Sequence, residues 1–171
     1  VVKKSGVKPS MYYFEGRARV FHSMEEASAA VSGDQIKKGD ILVITYEGPK
    51  GGPGMREMHM TTSLIVGRGM DEMCALITDG RFSGSTRGPC IGHISPEAAA
   101  GGPIAAVEEG DRIIIDIPNR SLTLCVPDEE IQRRLANIKH IRKERTPALN
   151  RYAAQVTSAD QGAVLKAPED Q

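Results

Sequence analysis

The chain has 171 residues, with 22 Lys+Arg against 22 Asp+Glu and a formal net charge of zero. That length is enough for one domain with a full core. Balanced charge leaves no basic excess to attract a phosphate backbone, which argues against nucleic-acid binding, and no apolar run approaches the ~20 residues a membrane span needs.

The chain opens Val1-Val2-Lys3-Lys4, with no initiator Met and no signal peptide, so a fragment or a processed piece is expected. Residues 1–14 read as an entry segment containing Gly6 and Pro9. Arg17–Phe21 alternates and predicts a short strand. Ser23-Met24-Glu25-Glu26 is a capping box that opens a helix to about Val31, ended by Gly33. The turn Lys38-Gly39-Asp40 feeds a strand over 41–46, and residues 55–59 and 62–69 read as two short helices. A further strand is expected at 74–78, an extended piece at 91–96 and a helical turn at 96–100 stopped by Gly101-Gly102-Pro103. Residues 112–117 and 122–126 form an expected hairpin around Pro118-Asn119-Arg120. Asp128 is the expected cap of a helix over about 129–144, whose cations read as a solvated face. The segment 1–145 is thus taken as a single domain and 146–171 as a polar tail that packs on it or on another domain.

Cys74, Cys90 and Cys125 are an odd number, widely spaced, with no C-x-x-C. That pattern fits neither a self-contained zinc site nor a disulfide framework, and it suits a reducing compartment. Cys74 and Cys125 read as core residues and Cys90 as a packed loop residue.

Two loops carry the chemistry. Thr78–Gly88 (TDGRFSGSTRG) follows the apolar strand Cys74–Ile77 and holds three glycines, Ser83, Ser85, Thr86, Arg81 and Arg87. Glycines let backbone approach a ligand, and consecutive free amides form a hollow for an anion. Tyr46–Met58 (YEGPKGGPGMREM) follows the apolar strand Ile41–Ile44, with four glycines and two prolines in the seven residues 48–54. Such a stretch forms neither helix nor central strand. Loops at the carboxyl ends of strands are where open α/β sheets and barrels place ligands. Glu57, just after the second loop, is either a ligand for a hard cation such as Mg²⁺ or a solvated residue. The loops alone are also compatible with plain surface turns.

With both loops in hand, nearly the whole chain resembles the C-terminal domain of the dihydroxy-acid dehydratase family, which includes phosphogluconate and sugar-acid dehydratases. The resemblance rests on the two loop motifs, on Thr78–Ala99 as a whole, on GGPIA at 101–105, on 110–120 and on Arg151-Tyr152 through Gly162-Ala163. GGPGM before Glu57, with GPCIGH and GGPIA, looks more like the branched-chain enzyme than the phosphogluconate enzyme. The resemblance implies a mixed α/β, β-rich fold: a swivelling β-barrel-like domain with flanking helices, similar to the mobile domain of aconitase. It implies a hydro-lyase that dehydrates 2,3-dihydroxy carboxylates to 2-oxo acids, serving valine, isoleucine and pantothenate synthesis. It further implies Glu57 as a Mg²⁺ ligand and Ser83 as the alkoxide base, with Ser85 its rival. Gly84, Ser85 and Thr86 would hold the substrate carboxylate with Ser83. Arg81 would orient the loop or neutralise charge, and His93 stays outside the catalytic set. An iron–sulfur cluster and the other Mg²⁺ ligands would sit in an N-terminal domain, so the isolated chain is expected to fold but to be inactive. The implied full-length protein is a cytoplasmic homodimer, or plastid or mitochondrial in a eukaryote, acting on a small dihydroxy acid. The alternatives are a sugar-acid or phosphogluconate dehydratase domain and a non-catalytic anion-binding docking module.

Overall fold

The computed structural model describes residues 1–139, 141 and 143–167. Six strands make one mixed sheet in the order β4-β3-β2-β1-β5-β6: β1 Tyr13–Phe21, β2 Asp40–Ile44, β3 Ala75–Thr78, β4 Cys90–Ile91, β5 Arg112–Asp116 and β6 Ser121–Leu124. β1 is longer than expected because it serves two partners. Its first half pairs antiparallel with β5 (Tyr13↔Asp116 to Arg17↔Arg112), and its second half pairs parallel with β2 (Arg17↔Asp40 to Phe21↔Ile44). β2, β3 and β4 continue in parallel, and β5–β6 is the expected hairpin. The sheet is curled into a half-barrel, and β4 and β6 remain its edges among the described residues, so the expected barrel-like form is half realised.

Strands β2 and β3 read as unbroken apolar runs because both sheet faces are covered. Ile41, Val43, Ala75 and Ile77 point to one side, with Ala18, Ile113, Ile115, Ile104 and Val107. Leu42, Ile44 and Leu76 point to the other, under α1 Met24–Ser32 and α2 His59–Gly67, where Ala27, Ala30, Val31 and Ile65 complete the layer. Burying each such aliphatic side chain contributes about 1.5–3 kcal/mol. Helix α1 starts as expected: Ser23 Oγ accepts from the Glu26 amide at 3.2 Å, and Glu26 Oε2 accepts from the His22 amide at 2.8 Å.

Several expectations need correction. The two short helices after the Gly/Pro loop are one, α2, because Met55 has φ 51° and Glu57 bridges to Arg81 in extended pairing. Helix α3 spans Asp128–Asn137, with Pro127 at its cap and Asp128 already inside the first turn, where the helix dipole favours its charge. It stops at Ile138, which is extended; residues 140 and 142 of the predicted helix lie outside the described residues. Its cations are not all solvated: the Arg134 side chain is 13% exposed and bonds Asp111 Oδ2 at 2.6 Å, Glu130 Oε1 at 2.9 Å and the Ala106 carbonyl at 3.0 Å. Cys125 is exposed rather than core. The tail contains a helix, α4 Pro147–Gln155, capped by the Thr146 hydroxyl, followed by the buried Val156; residues 168–171 of the tail lie outside the described residues. No helix of the described residues is long and apolar enough to cross a membrane.

Candidate functional site

The two loops are built around buried carboxylates. Asp79 follows β3 directly and is fully buried. It accepts from the amides of Tyr46 at 3.1 Å, Glu47 at 2.9 Å and Ala98 at 2.9 Å, stitching the start of the Gly/Pro loop to the strand beside it. Burial pushes its carboxyl up to about 6, further raised by Glu97 and opposed by those amides. Glu97, also buried, takes the Lys50 amide on one oxygen at 2.8 Å and the Gly51 amide on the other at 2.7 Å. Glu47 is buried with its Oε1 near Arg56 at 3.0 Å and Lys143 at 2.9 Å, and it accepts from the Met24 amide at 3.1 Å. Arg145 closes the set by bonding the Gly51 carbonyl at 2.8 Å. A glycine is required at 48, since a Cβ there would stand 2.6 Å from Glu97 Oε2.

Arg81 ties this loop to the serine loop. Its Nε donates to the Met55 carbonyl at 2.5 Å and its NH1 to Glu57 Oε1 at 3.0 Å, and the backbones bridge in parallel at Glu57↔Arg81. Glu57 and Ser83 are therefore joined through one arginine that stands two residues before the serine. The side chains of Arg81 and Glu57 are 45% and 38% exposed, so this pair is open to exchange with another cation. Arg81 thus has the loop-orienting contacts and the charge-neutralising contact together.

Ser83, Gly84 and Thr86 line a cavity of about 170 Å³ with Lys3, Phe82, Cys90, Gly92 and His93. Ser83 is half-buried, and its Oγ lies 3.1 Å from Ser85 Oγ and accepts from the Ser85 amide at 3.3 Å. Ser85 is exposed and does not line the cavity, and Glu57 does not line it either. The Thr86 amide is used within the turn, donating to the Ser83 carbonyl at 3.1 Å. Its hydroxyl is buried without a partner at the cavity wall, where a ligand oxygen would satisfy it. Of the amides and hydroxyls expected to hold a carboxylate, the Ser85 and Thr86 amides are used within the turn, and the Thr86 hydroxyl is without a partner. His93 sits at φ 56°, and burial lowers its pKa, with Arg81 adding to the effect. Neutral imidazole is the form this environment favours.

Among the described residues no group of three or more His, Cys, Asp or Glu could hold a metal ion. Glu57 fits a Mg²⁺ ion as a single oxygen ligand, and other ligands would have to complete the shell. The cysteines do not fit an iron–sulfur cluster. Cys74 and Cys90 are buried, each thiol faces a carbonyl oxygen (Met70 and Arg87), and burial pushes both thiols up, Cys74 to about 12. Cluster binding needs thiolates.

Sequence reasoning missed Asp79, Glu97, Glu47 and Lys3. Asp79 and Glu47 lie inside the two quoted loops, Asp79 directly after β3 and Glu47 three residues after β2, and an acid that close to the end of a buried apolar strand is the usable signal. Glu97 was readable only as a residue of a helical turn.

Residues 1–163 match the family model described as dihydroxy-acid/6-phosphogluconate dehydratase C-terminal. Relatives named dihydroxy-acid dehydratase include those of Aquifex aeolicus (56% identical over 168 residues), Methanococcus aeolicus (59% over 167) and Geobacter sulfurreducens (60% over 168). These alignments cover 97–98% of this chain and 30% of each relative, so the chain spans about a third of the length of the curated relatives it matches.

Proposed function

The chain belongs to the dihydroxy-acid/6-phosphogluconate dehydratase family, matching its C-terminal domain, and from that premise we propose that it supplies one wall of the active site of a dihydroxy-acid dehydratase. The full-length protein is then a hydro-lyase acting on 2,3-dihydroxy-3-methyl carboxylates, and this domain gives it the serine base and one Mg²⁺ ligand. What carries the reading is the Arg81 bridge: it joins the loop of Glu57 to the loop of Ser83, whose hydroxyl faces a small cavity. The relatives' printed names favour a dihydroxy acid over a phosphogluconate.

In this reading Ser83 Oγ, deprotonated, takes the proton from C2 of the substrate. The C–H electron pair becomes the C2–C3 double bond, and the C3 hydroxyl leaves with its bonding pair. The leaving hydroxide becomes water with a proton equivalent to the one Ser83 took from C2. The enol then gains a proton at C3 and loses the proton on its C2 oxygen to become the 2-oxo acid, so the net loss is one water. Thr86 would give its free hydroxyl to the substrate carboxylate, and Gly84 lets that carboxylate approach. Glu57 would hold Mg²⁺ after releasing Arg81. When bound, that ion would hold substrate oxygens and offset charge developing at C2. No step is assigned to this chain's cysteines, and an iron–sulfur cluster would be held by the rest of the full-length protein. The half-barrel would be completed there as a swivelling domain like that of aconitase.

The test uses the full-length enzyme. Ser83→Ala should lower kcat by about 10²–10⁴-fold on 2,3-dihydroxyisovalerate, as loss of a general base does, with little change in KM. Turnover near wild type would refute the assignment and favour a docking role. Faster turnover of gluconate than of the branched acid would move the substrate class instead.

A further inference from the structure

Residues 1–8 strap across the serine loop at two points. At one end Val1 and Gly92 exchange both backbone bonds, the Val1 nitrogen donating to the Gly92 carbonyl at 2.8 Å and the Gly92 amide to the Val1 carbonyl at 2.9 Å. Val2 bridges antiparallel to Ile91. At the other end the Gly88 amide donates to the Gly6 carbonyl at 2.9 Å. The strap passes closely there because residue 6 is glycine: a Cβ would stand 2.5 Å from the Thr86 carbonyl.

Between these anchors stands Lys3. Its Nζ donates to the Gly84 carbonyl, one residue beyond Ser83, and it lines the same cavity as Ser83 and Thr86. No carboxylate side chain is among the described residues of that wall, and His93 favours its neutral form there, so Lys3 is the cationic side chain of the cavity. A serine hydroxyl is a weak base until something stabilises its alkoxide, and a neighbouring cation held in place by a hydrogen bond does so. Lys3 is exposed, so its effect on Ser83 comes from its fixed position rather than from exclusion of water.

Resting on the reading of Ser83 as base, we infer that the Lys3 ammonium is the counter-charge that holds Ser83 deprotonated, clamped in place through the Gly84 carbonyl. The proton lost from Ser83 goes to solvent before substrate binds, and Lys3 keeps its own proton throughout. The strap thus contributes to chemistry as well as to packing.

The experiment is a double-mutant cycle in the full-length enzyme with pH profiles of kcat. Lys3→Met should lower kcat by about 10²–10³-fold, the loss seen when one group stabilising an oxyanion is removed. KM should stay within about threefold, because the interaction acts on the base rather than on substrate binding. The alkaline rise of kcat should move up by at least about one pH unit, which corresponds to a tenfold change in ionisation. Lys3→Arg should restore most of the rate and the profile. Lys4→Met, whose ammonium lies over the Tyr12 ring 5.1 Å away, is the neutral control. In the Ser83→Ala background Lys3→Met should add almost nothing, since the two act as a unit. A rise in KM with an unmoved pH profile would overturn the inference and make Lys3 a substrate-carboxylate clamp. Full activity of Lys3→Met would overturn it outright. Retained turnover in Ser83→Ala would refute the serine reading, and this inference with it; loss in Ser83→Ala with none in Lys3→Met removes the inference alone. If Lys3→Met fails to fold, an unshifted profile in Lys3→Gln, which keeps the bond to the Gly84 carbonyl but not the charge, decides against it.

Discussion

Replacing Glu97 by Gln tests whether the Gly/Pro loop is held by a buried carboxylate or by its own turns. Glu97 is 2% exposed, and each oxygen accepts one backbone amide, from Lys50 at 2.8 Å and Gly51 at 2.7 Å. Glutamine keeps one acceptor and sets its NH₂ group against the other amide. The lost charge-assisted bond is worth about 1.5–3 kcal/mol, and the donors left facing each other add about 1–3 kcal/mol. Removing a buried charge offsets part of this. The net cost is therefore about 2–4 kcal/mol, a large share of the 5–15 kcal/mol typical of a domain. Urea unfolding of the 171-residue chain, followed by circular dichroism, measures it. Hydrogen exchange at the Lys50 and Gly51 amides localises it, and both should lose protection selectively. Gly48→Ala reaches the same contact from the other side, because its Cβ would lie 2.6 Å from Glu97 Oε2. The two changes together should then cost clearly less than their sum. A Glu97→Gln chain within about 0.5 kcal/mol of wild type, with both amides still protected, would show that the turns alone fix the loop.

Two further outcomes follow from the buried charges. Burial pushes Asp79 up to about 6 from the ordinary 3.8. The native chain then holds a proton over that interval which the unfolded chain has released, so stability falls as pH climbs from about 4 to 6, by about 3 kcal/mol at 1.36 kcal/mol per pH unit. An NMR titration placing the Asp79 carboxyl below pH 4 would refute this. Arg134→Ala removes bonds to Asp111, Glu130 and the Ala106 carbonyl and should cost about 1–3 kcal/mol, or about 2–12 °C in the melting midpoint. Arg134→Lys should not recover it, because a point charge cannot replace the guanidinium fork; full recovery would count against the fork.

What could be read from the sequence was what depends on local pattern. The unbroken apolar run Ile41–Ile44 and the Ser23 cap each have a nearest-neighbour cause, and both elements stand where expected. The hairpin around Pro118–Arg120 does too. Elements whose ends depend on distant groups were misjudged. The end of α3 follows no glycine or proline signal at Ile138, and a helix over 55–59 was excluded by the pairing of Glu57 with Arg81, a contact across two loops. Cys125 looked like core because Leu122–Val126 is apolar in composition, yet it sits just beyond an edge strand with only one neighbour. The site shows the same division. Ser83 and Thr86 were legible from their glycine-flanked loop. Lys3, eighty residues away, was not, because only the strap across Gly88 and Gly92 brings it there.

The distribution of burial argues for how such a domain works. Asp79, Glu97 and Glu47 are almost wholly buried, and each holds backbone amides of an adjoining segment. Moving any of these loops would leave a charge without its donors in a low-dielectric interior, at several kcal/mol per group. By contrast Glu57, Arg81 and Ser85 are exposed or nearly so, and Thr86 keeps a free hydroxyl. The tips are thus the part of each loop with unused bonding capacity, carried on a base with almost none. The base fixes where Glu57 and Ser83 stand, and breaking the exposed Glu57–Arg81 pair leaves that base intact.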